Sequence, residues 1–163
     1  MAKNAFTVRI TAVGLRETLA AFRALPKDAS AELRDAAQEI SRLVASVAKS
    51  SAGDPQSQAV AATVRPVRDR VPAVQAGGSQ RITSQGIPAY RLLFGSEFGA
   101  EGRYGWYAAS KYGGSAGRQF SGHTGTAGRW FFPSVERTNV PAMKAWNDAV
   151  DRIVRKFERG GSI

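Results

Sequence analysis

Between Gly99 and Gly128 the chain is dominated by glycine, serine, alanine and threonine, with Tyr104, Trp106, Tyr107, Tyr112 and Phe120 set among them. A structureless stretch of this length is uncommon inside a compact domain. The fold must therefore be built from the pieces on either side, which leaves the stretch itself for other work. Linkers rarely carry so many aromatic side chains, whereas exposed Tyr and Trp are enriched at interfaces. Residues 99–128 thus read as an insertion that is either flexible or ordered against a neighbouring subunit or another partner.

The two flanks frame this insertion. Upstream, Tyr90-Arg91-Leu92-Leu93-Phe94 is a short apolar run bounded by glycine, and it reads as a buried strand over 89–94 ending in the turn Gly95-Ser96-Glu97-Phe98-Gly99. Downstream, Trp130, Phe131 and Phe132 precede Pro133, a residue suited to the first turn of a helix. Beyond it, Val140, Met143, Trp146, Val150, Ile153, Val154 and Phe157 recur at three- and four-residue steps, which predicts a C-terminal amphipathic helix stopped by Gly160-Gly161.

Earlier in the chain, Phe6, Val8, Ile10 and Ala12 alternate with other residues as in a half-buried strand. Leu15, Leu19, Phe22 and Leu25 suggest a short helix closed by Pro26. Leu33, Ala36, Ala37, Ile40, Leu43, Val44 and Val47 then mark a long helix, with Asp28 or Ser30 as its N-cap and Gly53 as terminator. Asp54-Pro55-Gln56-Ser57-Gln58 reads as a turn, followed by strands over 60–67 and 71–75 and a weaker one over 81–83. Pro66 and Pro72 place the first two at edges or bulges. The fold class predicted is α+β in a single domain over 1–163. In it, an antiparallel β-meander packs against a long N-terminal amphipathic helix and a C-terminal helix, and 99–128 is the insertion.

Composition narrows the chemistry. A chain of 163 residues suits one domain with a core. It has no cysteine, which excludes disulfides and thiolate metal sites. Its one histidine, His123, lies in the glycine-rich insertion, a poor platform for a positioned base. Asp148 and Asp151 share a helix face among other charges and read as solvated surface, and no phosphate-loop motif occurs. No catalytic residue, metal site or cofactor is expected. Nor is a membrane segment, since no apolar run approaches the roughly 20 residues required.

The net charge of +10 points to an acidic partner or an electropositive surface. Residues 61–129 hold 9 basic and 3 acidic side chains, so most of the excess sits there. Arg65, Arg68, Arg70, Arg103, Lys111 and Arg118 are the candidates for facing DNA, touching phosphates without reading sequence.

The order of elements, with Glu97 and Gly99 in an aromatic-to-Glu-x-Gly turn and Arg129, Phe131 or Phe132, Pro133 and Ser134 opening the last helix, resembles the tail-completion (neck) proteins of long-tailed bacteriophages. The resemblance implies a non-enzymatic structural protein of the virion, made in the host cytoplasm and seated at the head-tail junction. It further implies a homo-oligomeric ring, hexameric in that family, between the head connector and the tail. On this reading Glu97, Gly99, Tyr104, Trp106, Tyr107, Tyr112 and Phe120 contact a neighbouring subunit or an adjacent neck or tail protein, and the basic residues line a lumen that DNA traverses. A tail terminator ring and a nucleic-acid-binding module are the alternatives.

Overall fold

Leu33, Ala37, Ile40, Val44 and Ala48 form the buried face of the long helix α1 (Lys27–Ser50), as their spacing requires. The computed structural model describes residues 5–9, 27–84, 86–99 and 128–160. Among these, strand β1 (Ala5–Arg9) precedes α1, and helix α2 (Pro55–Ala61) follows it. Next come strands β2 (Arg65–Val67) and β3 (Ala73–Gly77), then helices α3 (Ala89–Phe98) and α4 (Phe131–Gly160). The chain is α+β. The predicted short helix around Leu15 to Leu25 lies outside the described residues.

Helix α1 lies between α4 on one side and the sheet on the other. Its alanines at 29, 37, 45 and 48 are all buried, and such small side chains let neighbouring elements approach closely. Helix α4 runs antiparallel to it, since Arg137 donates to Ser51 Oγ at 3.1 Å while Lys156 Nζ donates to Glu32 Oε2 at 2.8 Å. Val135, Ala142, Trp146 and Ile153 of α4 enter the same core. Pro141 is accommodated inside α4 on its exposed face.

The sheet has the order β1-β3-β2, with both neighbours antiparallel to the central β3. Thr7 stands opposite Gln75 on one side, and Arg65 stands opposite the same residue on the other. Pro66, lacking an N–H, sits in edge strand β2, where a missing donor breaks no ladder on the outer side. Two buried hydroxyls hold β3 at its ends. Ser41 Oγ of α1, 0% exposed, donates to Ala37 O and accepts the Ala73 N–H at 2.9 Å. Thr63 Oγ1 donates to Val60 O and accepts the Gly77 N–H at 2.9 Å.

Several expectations are corrected. The strand expected over 89–94 is helix α3, because Ala89, Leu92, Leu93 and Ser96 share one buried face at helical spacing and Gly99 ends it. A short apolar run does not distinguish strand from helix by itself. The turn expected at 54–58 and the start of the strand expected at 60 are instead helix α2. Asp54 caps it, accepting from the Gln56 and Ser57 amides while the Ser57 hydroxyl accepts from the Asp54 N–H. Of the expected meander, β2 and β3 form an antiparallel hairpin. The stretch over 81–83 contributes a single bridge from Arg81 to Pro88. The long helix is already under way at Lys27, so Asp28 belongs to its first turn rather than capping it.

Candidate functional site

Helix α3 ends where α4 begins, and the two are joined there by a buried side chain. The first turn of any helix has backbone N–H groups with no partner inside the helix. In α4 those donors are met from α3. Glu97 Oε2 accepts the Phe131 N–H at 2.8 Å and takes a longer approach from Trp130 N at 3.4 Å, while Oε1 accepts the Phe132 N–H at 2.8 Å. Pro133 has no N–H to satisfy, and the Ser134 N–H makes a bond to Trp130 O at 3.2 Å. Every donor of the opening turn is therefore accounted for.

Glu97 is 1% exposed. Burying a carboxylate is costly unless its oxygens are hydrogen-bonded, and here both oxygens accept main-chain donors. The positive end of the α4 dipole faces the same group. Both carboxylate oxygens are thus engaged by main-chain donors, and the side chain anchors the start of α4 to the end of α3.

Two glycines make the approach possible. At Gly128, with φ +68°, a Cβ would stand 2.4 Å from Glu97 Oε1 and 3.1 Å from Pro133 Cδ. Gly99, with φ 73° and ψ −178°, occupies a region open essentially to glycine alone, and its N–H donates to Gly95 O at 2.9 Å. Around the anchor, Phe94, Phe98 and Phe132 stack in series with ring centroids 6.2 and 5.7 Å apart. Phe131 meets both Trp130 and Phe132 edge-on at 5.6 Å. The Trp130 ring nitrogen reaches Ser96 Oγ at 3.4 Å. Beside this junction a groove of about 730 Å³ is lined by Ser50, Ser51, Arg129, Glu136 and Arg137 among others, so both charge signs face it.

Of the residues singled out as partner contacts, Glu97 and Gly99 are both buried within the chain at this junction. Tyr104, Trp106, Tyr107, Tyr112 and Phe120 lie outside the described residues, as do Arg103, Lys111, Arg118 and His123. The described basic candidates gather on the β2–β3 hairpin. Arg65 is exposed and donates through Nε and Nη2 to Gln75 Oε1. Arg68 pairs with Asp35 at 2.6 Å, which offsets its charge, and the Arg70 N–H donates to Asp69. Among the described residues no group of three or more His, Cys, Asp or Glu side chains is placed to hold a metal ion. No described helix is long and apolar enough to cross a membrane.

Sequence reasoning missed Gly128 and Ser96. The usable signal was Glu97 itself, a carboxylate between two phenylalanines with no basic residue near it in sequence. Comparison with known proteins gave no match of this chain to a family model, a curated protein or a solved structure.

Proposed function

We propose that this chain is a structural protein of a bacteriophage neck, acting in tail completion as one subunit of a ring between head connector and tail. The observation that supports this reading is the Glu97 junction. It holds both ends of the aromatic-rich stretch on one rigid base, the mounting a contact arm requires. Closed rotational symmetry would repeat a single heterologous contact around the ring and cover apolar surface and strand edges at once. Tyr104, Trp106, Tyr107, Tyr112 and Phe120 are the proposed contact residues toward a neighbouring copy or an adjacent neck or tail protein. Arg65 and Arg70 of the hairpin, with Arg103, Lys111 and Arg118, are proposed to face DNA in the lumen. Arg68 contributes less because Asp35 is bound to it.

Cryo-electron microscopy of particles assembled with and without the gene tests the proposal. Density for a ring of this chain at the head-tail junction, and loss of joined particles in its absence, is the expected result. Normal infectious particles lacking the protein would overturn it.

A further inference from the structure

We propose that the end of the sheet where β2 begins and β3 ends binds the phosphodiester groups of a nucleic acid through Arg65 and Arg81. The proposal deepens, and rests on, the reading that basic residues of this chain face DNA. A pocket of about 300 Å³ opens at this end, lined by Thr63, Arg65, Gly77, Gly78, Ser79 and Gln80, with no carboxylate among them. Asp69 is the only acidic residue between 61 and 96, and it lies in the connection from β2 to β3, at the opposite end of the hairpin. Both arginines are exposed, and both are held in place by neutral acceptors. Arg65 stands opposite Gln75, and its Nε and Nη2 donate to Gln75 Oε1 at 3.0 and 2.7 Å. Arg81 follows the pocket residue Gln80, and its Nη1 donates to Gly86 O at 2.8 Å. Gly86 has φ +73°, and a Cβ there would stand 2.8 Å from the same nitrogen, so that approach requires glycine. The backbone between the two arginines is fixed as well, because the Tyr90 and Ala89 amides of α3 donate to Gly78 O and Gln80 O. A neutral acceptor sets the direction of a guanidinium without offsetting its charge, and a fork set in advance loses less freedom when it meets a phosphate. Arg68 gives the contrast, since Asp35 holds it at 2.6 Å and offsets its charge. Contacts of this kind go to the backbone of a nucleic acid and carry no sequence preference.

The test uses the purified full chain and a fluorescently labelled DNA duplex of arbitrary sequence, with affinity read by anisotropy over a range of salt. The parent is expected to bind with a log affinity that falls linearly with log salt and does not change when the sequence is scrambled. Arg65→Gln and Arg81→Gln are each expected to weaken binding about three- to tenfold and to lower the salt slope by about 1. Gln75→Glu keeps Arg65 but gives it a carboxylate partner, and is expected to reproduce the Arg65→Gln loss. Gln75→Met only releases the guanidinium, so binding should weaken about twofold with the salt slope unchanged. Arg152→Gln removes the same charge from α4 and should leave affinity within about twofold. Thermal unfolding of each variant is measured alongside, and should a Gln75 variant lose its cooperative transition, the two arginine variants carry the test. No duplex binding by the parent near physiological salt overturns the proposal. So do equal losses in Arg65→Gln and Arg152→Gln, because the attraction would then be one of net charge. An acidic peptide that binds as tightly as the duplex overturns it too, as does inorganic phosphate that displaces the duplex fully at matched ionic strength, since the pocket would then take the free ion. A protein that binds duplex through this end but is missing from particles keeps this proposal and overturns the neck reading. One found at the head-tail junction that binds no duplex does the reverse.

Discussion

Helices α2 and α4 solve the same problem at their N-termini in opposite ways. In α2 the cap is local. Asp54 stands next to the helix and a single oxygen, Oδ1, accepts both the Gln56 and the Ser57 amides at 3.0 Å. In α4 the cap comes from another helix, is nearly inaccessible to water, and uses both carboxylate oxygens. The local cap stabilises one short helix. The distant one fixes the relative position of two helices as well, so its loss is felt beyond the turn it completes.

This contrast can be tested by substitution, with the largest effect at Glu97. Glu97→Ala leaves the buried Phe131 amide and the half-buried Phe132 amide without their acceptors and is expected to cost about 3–5 kcal/mol in denaturant unfolding. Glu97→Gln is expected to be nearly as damaging, because one of its two terminal atoms becomes an NH2 that faces a main-chain donor. A Gln variant of parental stability would show that only one oxygen matters. Gly128→Ala comes next. It places a methyl group against Oε1 at a left-handed backbone angle, and a loss of about 1–3 kcal/mol is expected in the same measurement.

At the local cap the effects are smaller. Asp54→Ala is expected to cost about 1 kcal/mol. Asp54→Asn should change stability by only a few tenths of a kcal/mol, since the amide oxygen can accept both bonds that Oδ1 now accepts. The ratio of the Glu97→Gln and Asp54→Asn effects is therefore the sharpest measure of the difference between the two caps. Smallest of all is Glu32→Ala, which breaks an exposed pair with Lys156 and should lie near zero, at most about 0.5 kcal/mol, and fall further with added salt.

The same contrast explains what could be read in the sequence. The stripes of α1 and α4 were legible because burial on one face of a long helix leaves a repeat over many residues. The capping box of α2, in Asp54, Pro55 and Ser57, was read as a turn, because those residue types also make turns and a helix of 7 residues is too short for periodicity to decide. Helix α3 was misread as a strand for a related reason: its apolar run is short, and Ser96 and Glu97 looked like turn residues although both are buried. The partner of Glu97 lies 34 positions along the chain at Phe131 and contributes only a backbone amide. No side-chain pattern marks such a donor. Phe131, Phe132 and Pro133 announced a helix start, while the identity of its cap depended on the tertiary fold.

Seating the first turn of α4 on a buried carboxylate also bears on hydrogen exchange in that helix. Helix ends ordinarily fray first, and their amides exchange with solvent hydrogen soonest. Here the amides of Phe131 and Phe132 are bonded to a carboxylate of another helix, so their exchange is expected to require loosening of the contact between α3 and α4. Hydrogen exchange is therefore expected to find the Phe131 and Phe132 amides among the slowest of α4.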